Sequence, residues 1–224
     1  MLALSKVDAS INNIPILRDI SFTVDAAETI ALVGRNGAGK TTLLRTIMGF
    51  TTCRGEMRFD GADLRAVDPH LRPGLGVGYA PEDRRLFSRF TITENILLPA
   101  QVAKLGAAET ASRLDRVYHV LPELRDLGPR PAGSVSGGQG KMVALGRALM
   151  LSKRLLLLDE PFQGLAPVLA QRYAEALGRL REIDPTLAII ITESNPELLR
   201  SFASRTITVE RGQIDSDSSN ERTT

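Results

Sequence analysis

The sequence has little cysteine, little net charge and no long apolar segment, and each shortage excludes a class of protein. It contains a single cysteine, Cys53, so neither an intrachain disulfide nor a cysteine-built metal site is possible, and a reducing compartment is expected. The 28 basic and 26 acidic residues leave a net charge of +2, which gives no electrostatic case for a nucleic acid partner. The longest apolar runs, 155–158 and 187–191, are far shorter than the roughly 20 residues that span a bilayer.

The rest of the composition is that of a folded protein. Hydrophobic residues make up 43% of the 224 positions and charged residues 24%, which is enough for a sizeable core under an ordinary surface. The first ten residues lack the apolar core of a signal peptide. The sequence therefore predicts a cytoplasmic protein that reaches any membrane only through a partner.

Short apolar strands alternate with amphipathic helices along most of the chain. This order predicts an α/β fold with a mainly parallel sheet. Residues 88–152 interrupt the alternation with a stretch that is mainly helical in pattern. We expect one domain over residues 1–215, with this helical segment inserted in it, and a polar, disordered tail over 216–224.

A glycine-rich segment lies between an apolar strand at 30–33 and a helical pattern that ends at Gly49. It has the phosphate-loop spacing G-x-x-x-x-G-K-[ST]. Glycines let backbone amides approach phosphate oxygens, and the N-terminus of the following helix favours negative charge. Lys40 can reach the β- and γ-phosphates, and the Thr41 hydroxyl can ligate Mg²⁺. The predicted nucleotide-binding residues are Gly34, Arg35, Asn36, Gly37, Ala38, Gly39, Lys40, Thr41 and Thr42.

A second motif places two carboxylates, Asp159 and Glu160, directly after the apolar run 155–158. A buried parallel strand delivers its last residues to the edge of the sheet where ligands bind. Asp159 would hold Mg²⁺ through water, and Glu160 would orient or deprotonate the attacking water. The two motifs together predict a site that binds and hydrolyses a nucleoside triphosphate.

A third motif, Ser136-Gly137-Gly138-Gln139, has the features of a glycine-rich helix N-cap whose hydroxyl and amides can face an anion. With the preceding Val135 it resembles the LSGGQ signature of the ATP-binding cassette family, and all three motifs occur in the order and at the spacing of that family. The resemblance covers about residues 2–214. It is strongest to the uptake cassettes for branched-chain amino acids, urea and related compounds, through the segments 79–87 and 159–167.

The resemblance implies a P-loop NTPase fold with a mainly parallel core sheet, an N-terminal antiparallel β subdomain and an inserted helical subdomain. It implies ATP and Mg²⁺ as cofactors and a second cassette, identical or different, with ATP at the interface. It also implies an integral membrane permease, a solute-binding protein that acts indirectly, and a location on the inner face of the cell membrane. The residues that would contact ATP from the opposite cassette are Ser136, Gly137, Gly138 and Gln139.

Several positions depart from the family pattern. Glu82 stands where most cassettes have glutamine, and the resemblance implies a role for it at the metal and in catalysis. Ser194 stands in the place of a switch histidine, as a weak substitute that helps to position water. Ile11 lies where an aromatic side chain normally stacks on adenine. Gly140 and Lys141 follow the signature where glutamine or arginine is usual, so we expect a looser start to that helix.

Two other functions compete with an ATPase subunit of an importer. One is a degenerate cassette that closes on ATP with little hydrolysis beside a more active partner; Ser194 and Ile11 favour it, and the intact pair Asp159 and Glu160 opposes it. The other is a small P-loop kinase, which has no use for a signature motif acting in trans. The transported compound cannot be deduced from the sequence, because the permease and the binding protein select it.

Overall fold

The structure, a computed structural model, describes residues 1–200 and 202–219. Along this part of the chain the strands are β1 (Leu2–Ile11), β2 (Ile14–Val24), β3 (Thr29–Val33), β4 (Thr52–Phe59), β5 (Ala62–Asp63), β6 (Val77–Ala80), β7 (Leu155–Asp159), β8 (Ala188–Glu193), β9 (Arg205–Glu210) and β10 (Gln213–Ser219). The helices are α1 (Lys40–Ile47), α2 (Ile92–Val102), α3 (Ala107–Val120), α4 (Glu123–Leu127), α5 (Gly137–Leu149) and α6 (Pro167–Ile183).

The chain divides into two compact units, of which the first contains Met1–Leu75 and the described residues from 188 onward. An antiparallel sheet in this unit has the strand order β2-β1-β4-β5. The β1–β2 turn is made by Asn12 and Asn13 with φ of 49° and 64°, a left-handed conformation that asparagine tolerates well. In β2, Ile20, Phe22 and Val24 are buried and alternate with exposed neighbours, which is the pattern of a strand with one face on the core.

The same unit holds the parallel strands of the phosphate-loop region. Strand β3 is buried along its whole length and pairs in parallel with β8 on one side and β9 on the other. Its apolar sequence matches this position, because a parallel strand covered on both faces has no polar side.

The ends of the sheets in this unit differ from what the apolar runs alone indicate. Strand β4 lies inside the antiparallel sheet, because β5 pairs with its outer side. Strand β8 extends to Glu193, two residues beyond the apolar run 187–191, since Thr192 and Glu193 remain buried in the ladder beside β3. The disordered tail is wrong for residues 216–219, because β10 pairs with β9 there, with Ser216 opposite Thr208. Residues 220–224 lie outside the described chain.

The second unit is Gly76–Leu187, in which β6 and β7 pair in parallel. Helices α2 to α5 fall within the expected helical stretch 88–152, but the compact unit also includes β6, β7 and α6. The prediction of a single domain over 1–215 stays a prediction. Helix α5 buries Met142, Leu145 and Leu149 on one face, as its apolar spacing predicts. Within the described residues, no helix has the length and apolar character needed to cross a membrane.

Candidate active site

The phosphate loop connects β3 to α1 through residues 34–39, and its glycines are required by geometry. A Cβ at Gly34 would lie 2.3 Å from the carbonyl oxygen of Val209, so no other residue fits without a shift. Gly39 is the N-cap of α1 with φ of 113°, a conformation that side chains disfavour, and it offers no side chain to cap the helix. The N-terminus of α1 is therefore left to backbone amides and the helix dipole, which suits an anion such as phosphate.

Lys40 is the cation of this loop, and the fold buries it to 3% exposure. Its ammonium Nζ donates to the carbonyl oxygens of Gly34 at 2.7 Å and Arg35 at 3.3 Å. These contacts curl the side chain back over the loop that precedes it. The positive charge of Lys40 therefore lies beside the loop that is predicted to bind phosphate.

Ser194 follows β8 and is brought to the same loop. Its hydroxyl accepts a hydrogen bond from Lys40 Nζ at 3.2 Å and donates to Asn36 Oδ1 at 2.7 Å. The sequence predicts Ser194 near the phosphate, and the structure places it against two residues of the phosphate loop. Its observed partners are the loop's own side chains, so the water-positioning role stays a prediction.

Sequence reasoning missed Glu193 as a candidate residue. It is buried at the end of β8 and lies opposite Val33, the last residue of β3 before the phosphate loop. The signal was available, because an acid directly after an apolar run is the same pattern that singled out Asp159.

The carboxylate motif lies in the second unit, at the end of β7. Asp159 is 2% exposed and accepts a hydrogen bond from the Tyr79 hydroxyl at 3.2 Å. Glu160 is 6% exposed and has φ of 44°, in the left-handed region that non-glycine residues rarely occupy. Its carbonyl oxygen accepts from Lys141 Nζ at 2.5 Å and from the Gln163 amide at 3.3 Å. We call residues 160–165 the Glu160 turn.

The signature segment forms the start of α5 and is better fixed than expected. Ser136 is the N-cap, and its Oγ accepts from the Gln139 amide at 3.2 Å while its own amide donates to Gln139 Oε1 at 3.0 Å. This reciprocal capping box satisfies two amides at the helix start. The looser helix start expected from Gly140 and Lys141 is therefore wrong. Ser136 Oγ and Gln139 also hold their own helix, although the hydroxyl retains a proton that can be donated to an anion.

The glycines of this segment make room for neighbours within the same unit. A Cβ at Gly138 would lie 2.4 Å from Leu169 Cδ1, so α5 approaches α6 closely at this glycine, and a larger residue would displace the leucine side chain. A Cβ at Gly140 would lie 3.1 Å from Arg84 Cδ, and the Arg84 guanidinium donates to the Gly137 carbonyl at 3.1 Å. A role for Gly138 at ATP stays a prediction.

Glu82 is exposed and lies on a cleft of about 360 Å³ that Lys141 and Gln163 also line. The loop that carries Glu82 is anchored by Arg147 of α5, which donates to the carbonyl oxygens of Arg84 at 2.6 Å and Arg85 at 2.7 Å. Burial lowers the pKa of Arg147 below the usual value for a guanidinium. The structure therefore brings Glu82 near the signature helix and the Glu160 turn, and its role at the metal and in catalysis stays a prediction.

Ile11 ends β1 and is 37% exposed, opposite Ile14 across the turn. An apolar side chain at the surface can cover a flat ring by packing alone. The contact of Ile11 with adenine stays a prediction.

The predicted metal ligands fit Mg²⁺ in their chemistry. The Thr41 hydroxyl, in the second residue of α1, and the buried Asp159 carboxylate are hard oxygen donors. Mg²⁺ typically takes one or two such protein ligands, with phosphate oxygens and waters completing its shell. Among the described residues there is no group of three or more His, Cys, Asp or Glu that could hold a metal ion without a ligand.

Comparison with known proteins shows what the chain resembles. The family model described as ABC transporter matches residues 17–163. The high-affinity branched-chain amino acid transport ATP-binding protein BraG of Pseudomonas aeruginosa is 35% identical over 215 residues, which cover 96% of this chain and 91% of that protein. A probable branched-chain amino acid transport ATP-binding protein, LivF of Archaeoglobus fulgidus, is 34% identical over 87% of this chain and 82% of its own length.

The similarity also extends to proteins with other named cargoes. The lipopolysaccharide export system ATP-binding protein LptB of Escherichia coli is 30% identical over 89% of this chain and 82% of its own length. A solved structure described as the ATP binding subunit of an ABC transporter superposes with a TM-score of 0.85 at 26% identity, over 98% of this chain and 90% of that one. The P-loop NTPase fold class predicted from the sequence is confirmed.

Proposed function

We propose that this chain, which belongs to the ABC transporter family and is one of its ATPases, powers a separate membrane permease. The permease would carry branched-chain amino acids or related small solutes. The cargo in this proposal rests on the similarity to BraG and LivF, and the observation that carries ATP binding is the strand–loop–helix geometry of residues 29–47. There Gly34 and Gly39 shape the loop and buried Lys40 lies folded over it at the start of α1.

The proposed reaction is hydrolysis of the terminal phosphate of ATP. The amides of the phosphate loop and the Lys40 ammonium bind the β- and γ-phosphates. The Glu160 carboxylate accepts a proton from water, whose oxygen attacks the γ-phosphorus as the bond to the β–γ bridging oxygen breaks. The products are ADP and inorganic phosphate.

The remaining site residues take the roles that the sequence predicts for them. Thr41 and Asp159 would hold Mg²⁺, and Glu82 would assist at the metal and in catalysis. The bound ion would neutralise charge on the phosphates. Ser194 positions water weakly, and Ile11 packs against the base. The signature segment Ser136–Gln139 contacts ATP held by a second cassette, so the active form is a dimer of like or different cassettes.

The proposed site of contact with the permease includes an exposed aromatic pair. Phe87 is 51% exposed and stacks on Phe90 with ring centroids 5.4 Å apart, so Phe87 is not an ordinary core residue. The buried Asn95 amide holds the loop: Oδ1 accepts from the Phe87 amide at 2.9 Å and Nδ2 donates to the Phe87 carbonyl at 3.0 Å. A fixed, exposed apolar pair is the kind of surface that an amphipathic permease helix would cover. Such a complex would hold the chain on the inner face of the cell membrane.

The transported solute is tested by uptake in cells of the source organism. Cells carrying Lys40→Ala should lose high-affinity uptake of radiolabelled leucine, isoleucine and valine, while uptake of an unrelated solute such as sulfate continues. Normal branched-chain uptake in those cells would reject the proposed cargo. Measurable hydrolysis of ATP by the purified chain would still support the ATPase assignment and oppose a degenerate cassette.

The permease contact is tested by Phe87→Asp, with Val102→Asp as the matched control at another exposed apolar residue. We expect Phe87→Asp to spare ATP binding by the isolated chain but to reduce its recovery with membranes at least tenfold. Unchanged recovery, or equal loss for both variants, would contradict a specific contact at Phe87.

A further inference from the structure

We infer that Lys141 is a positioning residue for ATP hydrolysis: from helix α5 it holds the main chain of Glu160 so that the carboxylate keeps its working direction. The inference rests on the proposed function, because it requires that Glu160 be the residue that accepts the proton from water.

The supporting contact joins two elements that are distant in sequence. Lys141 lies in the second turn of α5, and its Nζ donates to the carbonyl oxygen of Glu160, 19 residues further along the chain. The same carbonyl accepts from the Gln163 amide, so one oxygen both closes the Glu160 turn and receives the lysine. A single ammonium therefore fixes the peptide group that follows Glu160.

The peptide group before Glu160 is fixed by a different element. Asp159 is the last residue of β7, which pairs with β6 through Ala80 opposite Leu158, and its carboxylate accepts from the Tyr79 hydroxyl. Glu160 thus lies between a strand end and a lysine clamp, with φ of 44°. A non-glycine residue stays in this conformation only when its surroundings hold it there. The Cα–Cβ direction of Glu160 depends on both flanking peptide groups. Loss of the hydrogen bond from Lys141 should therefore change the direction of the Glu160 carboxylate.

Lys141 is itself well anchored. One turn before it, the Ser136–Gln139 capping box fixes the start of α5. Beside it, the Arg84 side chain packs against Gly140 and donates to the Gly137 carbonyl. The lysine therefore acts from a rigid helix end, which a positioning role requires. This contact ties the first turns of α5 to the Glu160 turn.

The test compares Lys141→Met, which keeps the length of the side chain but removes its donor, with Lys141→Arg, which keeps a cationic donor. Lys104→Met is the matched control, because Lys104 is an exposed lysine after α2 in the same unit. On the purified full chain with MgATP we measure kcat, KM, the Kd of a fluorescent ATP analogue and the melting temperature. The expected result for Lys141→Met is a kcat at least tenfold lower, with KM and Kd changed less than twofold. Lys141→Arg should keep at least a third of the kcat, and Lys104→Met should match the wild type.

A readout independent of activity is amide hydrogen exchange in the peptide that covers the Glu160 turn. Exchange there should be at least fivefold faster in Lys141→Met than in the wild type, and unchanged in Lys104→Met. Should Lys141→Met fail to fold, Lys141→Gln replaces it, since the shorter amide cannot reach the carbonyl; its kcat should fall at least fivefold. A kcat within twofold of the wild type for whichever variant folds, or equal damage by Met and Arg, overturns the inference.

Failure of the proposed function is kept separate by including Glu160→Gln. If Glu160→Gln hydrolyses ATP at the wild-type rate, Glu160 is not the base, and both the proposed mechanism and the role of Lys141 fall. If Glu160→Gln is inactive while Lys141→Met is normal, only the role of Lys141 falls. In the double variant, Lys141→Met should not lower the residual rate of Glu160→Gln further, because the group that it positions is already gone.

Discussion

The phosphate loop and the Glu160 turn contain the two principal groups of the proposed reaction, yet they are held in different ways. The loop takes its shape mainly from residues within it: Gly34 and Gly39 adopt special backbone conformations, and Lys40 folds back onto the Gly34 carbonyl. The Glu160 turn is held by side chains from elsewhere, with Lys141 on its carbonyl and Tyr79 on the neighbouring Asp159. The conformation of the phosphate loop is thus determined mainly by nearby residues, whereas that of the Glu160 turn depends on tertiary contacts.

This difference suggests that substitutions in the two regions should separate two steps. Changes in the loop should act on ATP binding, because its groups meet phosphate in the ground state. Changes around the turn should act on the chemical step, because Glu160 acts only when water attacks.

The largest effect is expected for Lys40→Ala. Removing a buried cation beside several phosphate charges should weaken MgATP binding at least a hundredfold, or about 3 kcal/mol. Equilibrium binding of a fluorescent ATP analogue measures this, with Lys104→Ala as the control. ATP binding and turnover close to the wild type would show that the loop is not the nucleotide site.

Glu160→Gln should have the next largest effect, and on a different step. Turnover should fall at least a hundredfold, because an amide cannot accept the proton from water, while the Kd for MgATP changes only a few-fold. With the natural partner cassette present, size-exclusion chromatography in MgATP should show a larger, ATP-held species. A variant that loses binding as well as turnover would break the distinction between the two regions.

Gly140→Ala is a smaller change near the Glu160 turn, and we expect a smaller effect from it than from the two preceding variants. Glycine to alanine inside a helix normally stabilises by about 0.5–1 kcal/mol, but here the new Cβ presses on Arg84. We expect a kcat two- to fivefold lower with no loss of melting temperature. Gly178→Ala in α6 is the matched control, because its Cβ meets nothing within 4 Å; its melting temperature should rise at unchanged kcat. Equal behaviour of the two variants would show that the Arg84 contact is unimportant for activity.

The smallest effect is expected at Ser194, which follows β8 and contacts the loop through both Lys40 and Asn36. Ser194→Ala removes a hydrogen bond accepted from the Lys40 ammonium and a neutral one donated to Asn36 Oδ1. Both join Ser194 to the loop and neither is made to the reacting water, so turnover should change no more than about fivefold. Ser194→His should raise it modestly if the imidazole fits. Abolished turnover in Ser194→Ala with intact ATP binding would instead make Ser194 a catalytic residue, and our account of it as a weak substitute would be wrong.

Prediction from sequence succeeded where the physical determinants are local. The apolar run before Gly34, the glycine spacing and the helical recurrence of Leu43, Leu44 and Ile47 are all visible within some twenty positions, and the structure has the strand, loop and helix there. It failed where partners are distant: residues 216–219 are polar and were expected to be disordered, but pairing with β9 makes them the last part of strand β10.

The sequence alone determined the family, the phosphate loop and the acids at the end of β7, because each can be recognised from the types and spacing of residues close together in the chain. Only the tertiary structure decided that Lys141 meets the Glu160 carbonyl, that Tyr79 meets Asp159 and that Ser194 meets Lys40. These pairs are 19, 80 and 154 positions apart. No periodicity encodes contacts at such separations. They exist because buried polar groups must find hydrogen-bond partners, and the folded path of the chain determines which partners are within reach.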